Sequence, residues 1–176
     1  KQGGDVAIKI MHPQYAQRKE LRERFEREAS VCLKLSHPGI VRVFDMVEEV
    51  GHLALIMELI IGRSLSNIIG EVVGPIPWQQ ARAYFSQMLS IVAYAHKEGV
   101  IHRDIKPENI MVLEDGSIKM LDFGIAKDSS TNQTKTGTGM GTVAYMAPEQ
   151  YKDAKNVDHR ADIYACLLYT SPSPRD

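Results

Sequence analysis

The stretch from Val100 to Gly124, VIHRDIKPENIMVLEDGSIKMLDFG, constrains this chain more than any other. It brings Asp104, Lys106, Asn109 and Asp122 into one short, β-rich segment. Carboxylates and an amide offer oxygen ligands to a hard divalent cation, a carboxylate can take a hydroxyl proton, and a lysine can face an anion. Asp115-Gly116 has a different role. It falls between IMVLE and SIKML, two apolar-alternating runs, and predicts a hairpin turn.

Composition narrows the classes around this segment. The formal net charge is −1 over 176 residues, with no basic patch interleaved with aromatics. The densest charge run, Arg18 to Arg27, alternates in sign as a solvated helix face does, so nucleic acid is not an expected partner. No apolar run is long enough to span a bilayer and no signal peptide is visible, so a cytoplasmic domain is expected; a membrane tether beyond this stretch is compatible with it. Cys32 and Cys166 are far apart and lack paired-ligand spacing. They are read as buried, reduced thiols rather than as a disulfide or zinc ligands.

Periodicity sets out the elements. Asp5 to Met11, DVAIKIM, predicts a strand carrying Lys9. Gln17 to Leu35 predicts a helix with Leu21, Phe25, Ala29, Cys32 and Leu33 on its apolar face. Its acids Glu20, Glu23 and Glu26 read as surface charges within reach of arginines. SHPGIVRVFDMVEE and HLALIMELI predict two strands joined at Val50-Gly51, after a break at Pro38-Gly39. Gly62 lets the chain turn into a short helix from about Ser64. Pro77 then opens a long helix that Gly99 ends, with Trp78, Ala81, Tyr84, Phe85, Met88, Leu89, Val92 and Ala95 as its core stripe.

His102-Arg103-Asp104 through Asn109, followed by Asp122-Phe123-Gly124 and Ala147-Pro148-Glu149, resembles the HRDxxxxN, DFG and APE signature of protein kinases. The wording HRDIKPENIMV, DFGIAK and GTVAYMAPEQ is similar to the eukaryotic-like (Hanks-type) serine/threonine kinases of bacteria, and the likeness runs from Asp5 to about Ala165. It implies an α+β, bilobal protein-kinase-like fold in truncated form. The parts would be a partial β-rich N-lobe with its αC helix (1–57), a hinge (58–62) and a partial helical C-lobe with catalytic and activation loops (63–165). The implied activity is transfer of the γ-phosphate of ATP, with Mg²⁺, to Ser or Thr of protein substrates.

The resemblance also implies residue roles. Asp104 accepts or orients the hydroxyl proton, Lys106 stabilises the γ-phosphate and marks a Ser/Thr kinase, and Asn109 and Asp122 hold Mg²⁺. Thr142 contacts Asp104 and Lys106. Lys9 faces the α and β phosphates, held by a pair with Glu28. Met57 is the gatekeeper beside the adenine, a role compatible with plain core packing, and Glu58 to Ile60 presents hinge backbone groups to the adenine edge. Asp162 anchors the catalytic loop, and His102 with Phe123 belongs to a hydrophobic spine, His102 being structural.

KDSSTNQTKTGTGM is too poor in apolar residues to order itself and resembles an activation loop. Thr134, Thr136 and Thr138 are its phosphorylation candidates, with Arg103 and Lys127 as phosphate partners; a flexible Ser/Thr linker is the other reading. Activation would proceed by autophosphorylation, with a second kinase copy as the partner in trans. A pseudokinase scaffold and a small-molecule kinase of similar fold stay open, although the intact catalytic set favours transfer and the threonine-rich loop with its APE element favours a protein acceptor.

After Ala165 the text becomes CLLYTSPSPRD, where Pro172 and Pro174 are incompatible with a continuing helix. Residues 166–176 are read as a non-native tail. The chain starts without Met inside a motif and is read as a fragment lacking N-lobe strands and the C-lobe core helix. Such a fragment should be inactive alone: a phosphotransfer assay on the purified 176-residue chain is expected to show no turnover above the protein-free blank.

Overall fold

The computed structural model describes residues 4–49, 52–71, 76–123, 145–152 and 157–168. Strand β1 (Val6–Ile10) pairs antiparallel with β3 (His52–Glu58), and β3 pairs on its other side with β2 (Val43–Glu49), giving the order β1-β3-β2. The register sets Lys9 opposite Leu55. Alternation along β1 turns Ala7 and Lys9 inward and leaves Val6, Ile8 and Ile10 exposed, so the lysine faces the molecule and the aliphatic residues face out. The Val50-Gly51 turn lies outside the described residues, but the pairing of Glu49 with His52 is that of a hairpin.

The predicted 36–49 strand begins only at Val43, because the chain before it is used otherwise. Ile40 forms a parallel bridge to Met120, with the Val41 N–H donating to the Met120 carbonyl (3.0 Å) and the Met120 N–H to the Gly39 carbonyl (2.8 Å). Strand β3 likewise stops at Glu58 rather than running to Ile60.

Two helices lie between β1 and β2. The short α1 (Pro13–Ala16) has its proline in the first turn, where the missing N–H costs nothing, and was not anticipated. Helix α2 (Lys19–Cys32) buries Phe25, Ala29 and Cys32. Leu33, expected on the same face, is the exposed C-cap; the helix ends there and the following turn delivers Leu35 to the core instead. Arg22 holds α2 to the sheet through a two-pronged ion pair with Glu48 of β2, and its Nε donates to Glu26 (2.9 Å).

A second sheet, β4-β5-β6, is built from Arg63–Ser64, Ile110–Val112 and Ile118–Met120. The β5–β6 hairpin turns as expected at Asp115-Gly116. Gly116 takes φ +78°, and the Asp115 carboxylate accepts from the Ser117 N–H (2.9 Å) and hydroxyl (2.6 Å), which holds its pKa below the ordinary value.

Helix α3 (Leu65–Glu71) follows β4 directly, with the Ser64 hydroxyl accepting the Asn67 N–H (3.1 Å). Helix α4 (Trp78–Lys97) ends at Gly99, whose φ is +74°. Its buried face is Tyr84, Met88, Ile91, Val92 and Ala95. Trp78 and Leu89, expected in that stripe, are 75% and 44% exposed: Trp78 stands in the first turn, and Leu89 lies off the arc that Ile91 completes. Gln87 fastens α4 to the hairpin, accepting the Ile118 N–H (3.0 Å) and donating to the Gly116 carbonyl (3.2 Å).

Helices α5 (Pro148–Lys152) and α6 (Arg160–Leu168) complete the described chain. Helix α6 runs through Cys166, Leu167 and Leu168, and Cys166 and Cys32 are both buried outside any disulfide among the described residues. Burial pushes the Cys166 pKa up to about 12. One hydrophobic cluster joins Leu55 of β3, Ile91 of α4, Ile105, Ile110 of β5 and Met120 of β6.

At Gly62 the packing leaves no room for a side chain. A Cβ there would stand 2.6 Å from the Val112 backbone oxygen, an atom that cannot move without opening β5. Gly62→Ala is therefore expected to lower stability by about 1–3 kcal/mol in equilibrium denaturation, whereas alanine at Gly70, with nothing within 4 Å, should not be destabilising.

Candidate active site

The loop between α4 and the second sheet hangs from one buried carboxylate. Asp162 of α6 is 1% exposed. Its Oδ2 accepts the His102 N–H (2.8 Å) and the His96 Nε2–H (2.8 Å), and its Oδ1 accepts the Arg103 N–H (2.7 Å). A buried carboxylate needs donors on both oxygens, and here backbone supplies two of three. Asp162 thus anchors the loop, as expected of it.

His102 is fully buried and structural. Its Nδ1 accepts the Asp104 N–H (3.2 Å) and its Nε2–H donates to the Leu121 carbonyl (2.9 Å), which fixes one neutral tautomer. The ring packs on Phe123 at 4.5 Å between centroids, and burial holds its pKa below the ordinary 6.5.

Arg103 then takes φ +64°, a left-handed conformation that is uncommon for a residue with a side chain. The turn presents Asp104. The Asn109 Nδ2 donates to the Asp104 Oδ2 (2.6 Å) and to its backbone carbonyl (2.9 Å), and the Lys106 Nζ stands 3.6 Å from the same Oδ2. Asn109 sits in a 3₁₀ turn (Pro107–Asn109), and its own carbonyl accepts the Leu121 N–H (2.9 Å), so the turn is tied to the end of β6.

Asp122 follows Leu121 with φ +57° and pairs with the Lys9 ammonium from β1. Lys9, Asp104, Lys106, Asn109 and Asp122 therefore converge from β1, the 101–109 loop and the end of β6. Lys9 was expected to pair with Glu28; the structure gives it Asp122 as a partner. Glu28 lies on α2, and its side chain is outside the described residues, as are Lys127, Thr134, Thr136, Thr138 and Thr142. Arg103 has an exposed side chain beside the loop.

Met57 is half-buried against the core and lines a small cavity with Cys32, Val41 and Phe123. Glu58 differs from the hinge expectation in one respect. Its N–H is taken by the Arg42 carbonyl (2.9 Å), and both carboxylate oxygens accept the Lys119 Nζ at 2.6 Å. Lys119 was not singled out in the sequence; its signal was a lone lysine between the buried Ile118 and Met120. Ile60, beyond the end of β3, is half-buried.

Hard oxygen donors and cations of this kind suit a nucleotide phosphate carried with a divalent cation. Asn109 commits its amide nitrogen to Asp104, leaving its amide oxygen as a ligand atom, and Asp122 has a carboxylate oxygen besides the one paired to Lys9. Among the described residues no helix is long and apolar enough to cross a membrane.

Comparison with known proteins shows the family. The family model described as "Protein kinase domain" matches residues 1–171. A probable serine/threonine-protein kinase of Corynebacterium efficiens is 40% identical over 176 residues, covering 95% of this chain and 26% of the relative. The serine/threonine-protein kinase PknL of Mycobacterium tuberculosis is 38% identical over 161 residues, 91% of this chain and 40% of PknL. The crystal structure of the M. tuberculosis PknI kinase domain superposes with a TM-score of 0.72 at 30% identity, covering 94% of this chain and 62% of that one. The chain thus spans well under half of these curated relatives.

The neutral His102 generates a pH dependence. Its folded pKa lies below 6.5, so as pH falls under that value the unfolded state takes up a proton that the folded state refuses. Stability should therefore fall with decreasing pH, by up to about 1.4 kcal/mol per pH unit, until the lowered folded pKa is reached. His102→Gln keeps a donor and an acceptor but cannot titrate; denaturation curves across this window should show that component missing from its pH slope.

Proposed function

As the chain belongs to the protein kinase domain family, we propose that it is the catalytic part of an ATP- and Mg²⁺-dependent kinase acting on Ser or Thr of proteins. The observation that carries this is the Asp104 carboxylate, 10% exposed, held by Asn109 at 2.6 Å and faced by Lys106 at 3.6 Å. A general base needs to be fixed and within reach of its proton before its pKa matters. The His102 and Asn109 contacts fix it.

In the proposed reaction the acceptor hydroxyl donates a hydrogen bond to Asp104. Its oxygen forms the new bond to the γ-phosphorus as the bond to the β-bridging oxygen breaks, ADP departs, and the proton passes to Asp104. Lys106 balances charge on the oxygens in transit. Lys9 would exchange its contact with Asp122 for nucleotide phosphate oxygens, Glu28 of α2 would steady it there, and the hinge from Glu58 to Ile60 would face the adenine beside Met57. Asn109 and Asp122 are the proposed ligands of Mg²⁺, which when bound neutralises phosphate charge. Thr142 would help select a Ser/Thr acceptor.

Regulation belongs to the same reading. Phosphate on Thr134, Thr136 or Thr138 would carry about −1.5 to −2 charge and be received by Arg103 and Lys127. A second copy of the kinase would supply that phosphate in trans, and the domain would work in the cytoplasm.

The test is phosphate transfer from labelled ATP with Mg²⁺ by the complete protein containing this chain, with modified residues mapped. Asp104→Asn keeps the shape but removes the base, and kcat should drop by roughly 10²–10⁴ while nucleotide binding persists. Transfer surviving at the unaltered rate would overturn the assignment of Asp104. Nucleotide binding without any transfer by the unmutated protein would favour a scaffold.

A further inference from the structure

Arg103 is the strained link in the loop, and both of its backbone groups are held by side chains from elsewhere. Its N–H is held by Asp162, as described. Its carbonyl accepts the Nε2–H of Gln150 (3.1 Å), a residue of the short α5 47 positions further along the chain. The other end of the same amide is also engaged: the Gln150 Oε1 accepts the Ala147 N–H (2.9 Å), and the Gln150 N–H donates to the Ala147 carbonyl (2.9 Å). The orientation of the amide is fixed by its partners, because an N–H can only face the oxygen and a carbonyl can only face the nitrogen.

We infer that Gln150 is a positioning residue for the proposed phosphotransfer, holding Arg103 in its left-handed turn from the side opposite Asp162 and so setting the direction of Asp104. A left-handed residue other than glycine persists only where its surroundings over-determine it. Asp162 holds the peptide before Arg103; the peptide after it is held by Gln150 at the Arg103 carbonyl and by His102 at the Asp104 N–H, so without the Gln150 donor it hangs from the longer His102 contact alone. The same contact makes the Ala147-Pro148-Glu149 segment part of the catalytic loop's support, since one side chain bonds both. Arg103, Asp104, Tyr145, Gln150 and Asp162 line a common small cavity, so the contact lies at the loop itself.

A plainer role would be capping alone. Gln150 is the third residue of α5 and reaches back to the N–H that precedes it, as glutamine or glutamate does in a capping box. Two variants separate the roles. Gln150→Glu keeps the acceptor for Ala147 and turns a repelling oxygen towards the Arg103 carbonyl, whereas Gln150→Ala removes both contacts.

The inference rests on the kinase reading, and the experiment keeps the two apart by measuring both turnover and amide exchange in the complete kinase. If Gln150 positions the loop, both variants lose about ten- to a hundredfold in kcat, with KM for ATP nearly unchanged, and exchange faster across 101–106. Gln150→Glu with unaltered kcat and exchange, beside an impaired Gln150→Ala, would leave only the cap and overturn the inference; so would two variants that both behave as the unmutated enzyme. If the unmutated protein transfers no phosphate, the kinase reading fails by itself, and the exchange comparison still decides whether Gln150 holds the loop.

Discussion

Taking an aspartate out of water costs several kcal/mol, and the fold tolerates Asp162 only because donors surround it. Two of them, the His102 and Arg103 N–H groups, belong to a loop that has no regular partner strand. The third, His96, is the last turn of α4, so one carboxylate joins α6, α4 and the loop. Hydrogen bonds to a charged group contribute roughly 1.5–3 kcal/mol each, and removing the acceptor would leave three donors without it. The loop's path is therefore dictated by a residue nearly 60 positions away, and everything that follows it, from His102 in the core to the turn at Arg103, depends on that attachment.

From this anchor the order passes upward through β6. His102 bonds the Leu121 carbonyl, Asn109 takes the Leu121 N–H, and Met120 is laced on both sides to Gly39 and Val41, the segment that precedes β2. Lys119 adds the tie to Glu58 at the end of β3. The two sheets are thus joined through one short strand whose alternate residues face opposite ways: Ile118 and Met120 enter the core and Lys119 meets the first sheet. Cys32 of α2 reaches the same place, its thiol donating to the Phe123 carbonyl (3.5 Å). Both α2 and the first sheet are in this way tied to the residues that flank Asp122.

The parts of this arrangement that could be read in the sequence are those governed by local pattern. The hairpin at Asp115-Gly116, the helix over Trp78 to Lys97 and the strand around Lys9 all announce themselves by turn chemistry or periodicity. What could not be read depends on partners distant in sequence. Nothing near Lys119 says that its charge will be met by Glu58, 61 residues earlier. Periodicity gave Trp78 and Leu89 to the core because it counts positions on an ideal cylinder, while burial depends on how far the neighbouring elements reach, and these two positions stay exposed. Leu33 fails for the converse reason, since the helix stops before the position can pack. Asp104, Asn109 and Asp122 were legible through the likeness of their wording to a known signature, and Gln150, one residue beyond its last element, was not.

The two left-handed residues of the site differ in how firmly they are held, and that difference suits the proposed chemistry. Arg103 is fixed through backbone hydrogen bonds to side chains on two helices, so Asp104 beside it starts from a defined geometry. Asp122 is held at its carboxylate by Lys9, and both side chains are more than a third exposed. An ion pair at that exposure contributes about 1 kcal/mol or less, because water screens it. In the proposed reaction a nucleotide phosphate, bearing more charge than one carboxylate, would displace it at small cost, freeing the lysine for the phosphate and the aspartate for a cation. The proposed base is rigidly mounted, and the pair that would separate on nucleotide binding is weakly joined.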